Sequence, residues 1–209
     1  MARTKNTGVS SADRLLEVTE SLCAAFGLEA VSVRDIAKEA KISLSVIYHH
    51  FGSKSGLIKA VMDRRMRELY EVRRPLFTEL EAETKPDLEK LLYAVIAPLA
   101  LLRTKGRQGE ITGLFLARLL MSPLPEIKAE IDKGVGELKY IVDLAQRAVP
   151  HLSREEICWR LHFTIGLEHM THWDYDRLEI MSEGLCSAQD VEKSIARAVS
   201  FAKTAFLGP

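Results

Sequence analysis

The sequence predicts an all-α fold on three observations. Apolar residues recur at three- and four-residue spacing along nearly the whole chain. β-Branched residues nowhere alternate over the length of a strand. Serine repeatedly precedes a helical run, and glycine or proline ends it. Together these predict a three-helix N-terminal unit followed by a larger C-terminal helical bundle.

The elements follow in order. Ser10 or Ser11 caps a first helix carrying Leu15, Leu16, Val18, Leu22 and Phe26, and Gly27 stops it. Two short helices follow, each opening at a serine, Ser32 and Ser43. A third serine, Ser53, starts a long run through Leu57, Val61, Met62, Met66, Leu69 and Tyr70, enough to leave the first unit and reach the second. Beyond Pro86, "PDLEKLLYAVIAPLALL" is almost wholly apolar, as befits a helix inside a bundle. The loop "RTKGRQGE" separates it from a helix over about 111–120, and Pro123 and Pro125 precede one long amphipathic helix to Val149. The last two helices are expected over about 153–173 and 187–206, joined by the loop "DYDRLEIMSEGLC". The boundary between the two units is placed at residue 56, giving 1–56 and 57–209.

Composition narrows the class. A chain of 209 residues buries a sizeable core without staples. Its three cysteines, Cys23, Cys158 and Cys186, are odd in number and widely spaced, which reads as reduced, mostly buried thiols rather than disulfides or a zinc cluster. No signal-peptide pattern opens the chain, and no stretch approaches the roughly 18 apolar residues of a membrane span, so a soluble cytoplasmic protein with no membrane partner is expected. The 29 basic and 29 acidic residues balance, but 13 of the former and only 9 of the latter fall within residues 1–74. That modest excess permits a phosphate-facing surface in the first third.

The two short helices explain each other. Ser32 and Asp35 are spaced as a capping box, and Ile36, Ala37 and Ala40 form an inner face on which small Ala37 admits a crossing helix. Lys41-Ile42 makes the turn, Ser43 caps the next helix, and Ile47, Tyr48 and Phe51 recur along it. Two short helices at a tight turn, packed on a third, make a helix-turn-helix, whose second helix is short because it enters a DNA major groove about 12 Å wide.

The residues Ser32, Ile36, Ala37, Ala40, Ile42, Ile47, Tyr48, His50, Phe51, Lys54 and Leu57 match, in register and without a gap, the motif of the tetracycline-repressor (TetR) family, which this sequence resembles over about residues 10–60. The resemblance implies a transcriptional regulator, with Tyr48 and Lys54 on backbone phosphates, a homodimer formed through the last two major helices, and a ligand domain in the C-terminal half. Two departures stand out. Lys41 replaces the usual turn glycine, at a cost of roughly 1–2 kcal/mol, and gains a phosphate-seeking ammonium. Leu44 and Val46 replace polar base readers and offer apolar contact to thymine methyls, leaving direct readout to Ser43, Ser45 and His49. His50 is expected to pack at the base of the helix. Arg3 and Lys5 are candidates for a minor-groove arm, with an unstructured tail as the alternative.

The rest of the chain supplies candidates of lower specificity. Val191, Ile195, Ala198, Val199, Ala202 and Phe206 form an apolar stripe with small residues, suited to a twin chain, to which Ile165 and His172 are added; closure of the chain's own bundle is the alternative. Trp159, His162, Phe163, Met170 and Trp173, with Phe115, Arg118 and Met121, have the character of a pocket for a small, largely apolar effector, and equally of an ordinary core. Glu168, His169 and His172 are metal-ligand types, but no Glu-x-x-His pair or His-Glu-x-x-His motif occurs, so no metal or cofactor is expected. The expected function is a ligand-responsive repressor of a palindromic operator in double-stranded DNA. A helical-bundle enzyme is the competing class, and no nucleophile with its base or phosphate loop stands at recognisable spacing; an interaction module without DNA binding is the other.

Overall fold

A computed structural model describes residues 10–133, 135–173, 175–187 and 189–208, with the side chains of 135 and 170–176 also outside the description. Among the described residues helix is the only regular secondary structure. Helix α1 (Ser11–Phe26) is capped by the Ser10 hydroxyl accepting from the Asp13 amide, and ends at Gly27. The short helices α2 (Val33–Ala40) and α3 (Leu44–Phe51) lead into α4 (Lys54–Ala82), a 29-residue rod. The bundle consists of α5 (Leu88–Leu102), α6 (Arg107–Leu120), α7 (Pro125–Asp132), α8 (Val135–Ala148), α9 (Arg154–Trp173), α10 (Tyr175–Met181) and α11 (Val191–Leu207).

Four boundaries differ from the sequence reading. Helix α4, whose run is legible from Ser53 through Pro75 to Phe77, continues to Ala82, and the burial of Phe77 and Leu80 in the bundle core offsets the backbone bond lost at Pro75. Helix α6 begins at Arg107, not near Ile111, and Gly109 lies within it: a Cβ there would stand 1.7 Å from the Leu102 carbonyl oxygen, so glycine serves a close approach rather than a loop. The expected long helix to Val149 is two, α7 and α8. The expected polar loop after Trp173 contains α10. Cys23 is buried, its thiol pushed up to about 11 by burial, but Cys158 and Cys186 are exposed, contrary to the expectation of mostly buried thiols.

Two apolar cores form. One joins Leu15, Ile36, Ala40, Ile47, Leu57 and Met62 to Phe115, Leu119 and Ile127, so α6 and α7 are built onto the N-terminal unit. The other joins Phe77, Leu80, Leu91 and Ile96 to Ile141, Leu161, Ile195, Val199 and Phe206. Along α4 the first core ends at Met62 and the second starts at Phe77. Between them the inward positions, one turn apart, are Arg65, Leu69 and Arg73, and buried Leu69 belongs to neither core. On α4 the stretch between the cores is therefore polar at Arg65 and Arg73, whereas on α5 the two cores meet directly, Leu99 of the first lying between Ala97 and Ala100 of the second.

Candidate nucleic-acid interface and the polar waist

At α2 both halves of the capping box form: the Ser32 amide donates to the Asp35 carboxylate (2.9 Å) and the Asp35 amide to the Ser32 hydroxyl (3.2 Å). The hydroxyl and amide of Ser32 hold that carboxylate below its usual range. Lys41 ends α2 in the left-handed conformation (φ 55°, ψ 43°), and the Ile42 amide reaches back to the Ala37 carbonyl (3.0 Å). The turn geometry that usually calls for glycine is thus kept with an exposed lysine in its place.

Helix α3 buries only Ile47. Ser43, Ser45, Tyr48 and His49 are exposed, and Lys41 stands beside them; Ser32 is exposed at the start of α2. Ser43 holds the N-cap position but does not cap, because its hydroxyl pairs with that of Ser45 at 2.9 Å, leaving both at the leading edge of the helix. Leu44 leans on the N-terminal core and Val46 is half-buried. His50 is exposed, edge-on to His49 with ring centroids 5.2 Å apart, rather than packed at the helix base. Lys54 donates to the Glu29 carbonyl (3.1 Å), spending one of its three ammonium protons and holding the others at the start of α4. Gly56 lets α4 start this close to α3, since a Cβ there would fall 2.1 Å from the Phe51 carbonyl oxygen. Arg3 and Lys5 lie outside the described residues.

Beneath this surface Glu20 of α1, 1% exposed, is the hub of a joint. It accepts two bonds from the Arg65 guanidinium of α4, one from Gln108 (3.1 Å) and one from Thr112 (2.8 Å) of α6, while Arg65 also reaches Glu68 (2.7 Å). Burial alone would depress Arg65, but its bonds to Glu20 and Glu68 outweigh that and raise it. Arg118 adds a bond to the Ala25 carbonyl at the end of α1 (3.3 Å), and Glu126 of α7 accepts from Ser55 of α4 (2.7 Å).

Two turns further along α4 the polarity is less satisfied. Arg73 approaches Glu168 of α9 at 3.5 Å and Glu137 of α8 at 3.7 Å. Its Nε, and Nδ1 of the neighbouring His169, are buried without a hydrogen-bond partner among the described residues. Glu168 is 2% exposed, and burial pushes its carboxyl up to about 8 against the opposing pull of Arg73. Burial, and then the Arg73 charge, lower His169.

The expected effector residues are not brought together. Phe115 is in the N-terminal core, Arg118 faces α1, and Met121 is exposed. Trp159, His162 and Phe163 stand on the outer face of α9, with Trp159 and Phe163 stacked at 5.8 Å. The side chains of Met170, His172 and Trp173 lie outside the described residues. The expected twin-chain stripe is instead spent at home: Ile195, Ala198, Val199, Ala202 and Phe206 are buried in the second core, with Ile165 and Val191 packed against it. A face already covered by α5 is not available to a second chain. Helical period alone does not say which of two apolar faces turns inward.

Two family models match the chain: that of the tetR family of bacterial regulatory proteins over residues 15–61, and that of the tetracyclin repressor-like C-terminal domain over residues 93–205. The chain belongs to the TetR family. It is 30% identical over 146 residues to the transcriptional repressor KstR2 of Mycolicibacterium smegmatis, covering 70% of this chain and 68% of that one. A TetR-family regulator from Bordetella parapertussis shares the fold with TM-score 0.65 at 20% identity, over 94% of this chain and 93% of that one. So does a transcriptional regulator from Saccharomonospora viridis solved in complex with choline, with TM-score 0.61 at 19% identity, over 92% and 95%. TetR regulators bind DNA and act as dimers.

In this TetR regulator the sequence reading missed the Glu20–Arg65–Gln108–Thr112 joint and the Arg73–Glu168–His169 layer. One signal was present. Arg65, Leu69 and Arg73 stand at helical spacing on the inward face of α4, where an apolar residue is otherwise expected. Among the described residues no helix is long and apolar enough to cross a membrane.

Proposed function

We propose that the chain is a cytoplasmic repressor that binds a palindromic operator as a homodimer and leaves it when a small organic effector enters the C-terminal bundle. Residues 1–56 form the reader and 57–209 the effector-binding and pairing unit, with α4 running across both. Ser43, Ser45 and His49 face base edges, with Leu44 and Val46 at thymine methyls. Ser32, Lys41, Tyr48 and Lys54 hold phosphates. The observation that carries this reading is α3 itself, which sinks only Ile47 and leaves its polar edge exposed. Pairing falls to the outward faces of α9 and α11, where Trp159, Phe163 and Phe201 are more than half exposed. Arg160 holds these helices together through the carbonyls of Ala205 (2.7 Å) and Phe206 (2.9 Å). Large exposed aromatics on adjoining helices favour a subunit contact over water.

Selection from a pool of genomic fragments at two salt concentrations tests the proposal. The expected outcome is an enriched palindrome whose affinity falls steeply with salt. Retention of no sequence in preference to another would overturn it.

A further inference from the structure

A groove of about 860 Å³ runs along α5 between α4 and α11. It lies on the α5 side of α11, not on the outward faces of α9 and α11 assigned above to pairing. Its floor is apolar, with Leu76, Tyr93, Leu101 and Val199 along it. Lys203, near the end of α11, meets Glu89, at the start of α5, at 2.6 Å, so the two helices run antiparallel. Glu192, eleven residues earlier on α11, therefore stands about 16 Å away at the Leu101 end. Glu79 of α4 stands at the Glu89 end, near enough to Lys90 to bear on its charge. The groove is thus acidic at both ends and apolar between. Its two lysines are already engaged, Lys90 with Glu83 at 3.2 Å and Lys203 with Glu89. Neither the Glu79 nor the Glu192 carboxylate has an ion pair or hydrogen bond among the described residues.

We propose that this groove binds a linear organic dication, an apolar chain with an ammonium at each end, one head at Glu79 and the other at Glu192. The order of the surfaces dictates that chemistry. A polymethylene chain laid over Leu76, Tyr93 and Val199 withdraws its own apolar surface and theirs from water. An exposed ion pair is weak by itself, so a single head holds poorly, and two heads joined by one chain act together. The site stands apart from α3 and does not depend on the repressor reading.

Three probes of one length decide it by calorimetric titration of the natural chain: 1,10-diaminodecane, decylamine and 1,10-decanediol, each below its aggregation concentration. The diamine is expected to bind about fivefold more tightly than decylamine, and the diol not measurably. Glu79→Gln and Glu192→Gln, both at exposed positions, are each expected to weaken the diamine about fivefold, to the level of decylamine. Glu39→Gln, which removes an exposed carboxylate of α2 far from the groove, is expected to leave it unchanged. Decylamine or the diol binding as tightly as the diamine, no binding of the diamine, or undiminished binding in either groove variant would overturn the proposal. So would an equal loss in Glu39→Gln, which would reduce the effect to overall charge.

Discussion

Two glutamates, Glu20 and Glu168, are equally withdrawn from water and stand in opposite circumstances. Glu20 accepts from Arg65, Gln108 and Thr112, which gives both its oxygens close donors. Among the described residues Glu168 has a single cation, at 3.5 Å, and the Arg73 Nε and His169 Nδ1 near it have no hydrogen-bond partner. A buried charge is tolerable when every oxygen has a donor, and otherwise the group takes up a proton. The first arrangement is a rigid joint between the reader and α6. The second is an incomplete one, placed two turns away on the same helix. Anything that completes the second bears on α4, whose start positions α3.

The largest effect is expected from breaking the complete joint. Glu20→Ala leaves the buried Arg65 guanidinium with Glu68 as its one remaining carboxylate and is expected to cost about 3 kcal/mol in urea denaturation. Replacing the pair by Glu20→Leu with Arg65→Met should recover part of that loss. A cost within about 0.5 kcal/mol for Glu20→Ala would show that the two layers are alike after all.

A smaller and opposite effect is expected at the incomplete layer. With its carboxyl raised to about 8 in the folded chain, Glu168 binds a proton that the unfolded chain has released from about pH 4.3 upward. Unfolding free energy should therefore fall as pH rises between those values and level off above about 8. Glu168→Gln removes that slope. It is expected to match the natural chain near pH 4 and exceed it at pH 9 by on the order of 2 kcal/mol. Parallel pH profiles would contradict the contrast.

What could be read in the sequence divides along the same line. Around α2 and α3 local chemistry is decisive: a serine three residues before an aspartate, a turn and a short apolar set fix each element, and the structure has them as expected. The reader's polar edge was legible for the same reason, apart from Ser43, whose hydroxyl prefers Ser45 to the backbone, and His50, which stays in water. In the bundle, apolar residues lie on several faces of each helix, so spacing locates the helix without orienting it. Hence α11 turns Ile195, Val199 and Phe206 inward and Phe201 outward, and α9 turns Trp159 and Phe163 to solvent. The waist joins residues up to 95 positions apart, as in the Arg73–Glu168 contact. Pairing of that kind is a property of the assembled fold, and its local trace is confined to the two arginines at inward positions of α4.

The least effect on stability is expected on the exposed edge of α3, and that is where the account is tested most directly. Tyr48→Phe with His49→Ala removes a phenolic hydroxyl and an imidazole from a half-exposed and an exposed position, so the melting temperature should hold, within about 0.5 kcal/mol of stability. Affinity for the fragment selected by the natural chain, measured by fluorescence anisotropy, is expected to fall by on the order of tenfold or more. Unchanged affinity in that folded variant would contradict the claim that α3 is presented to DNA.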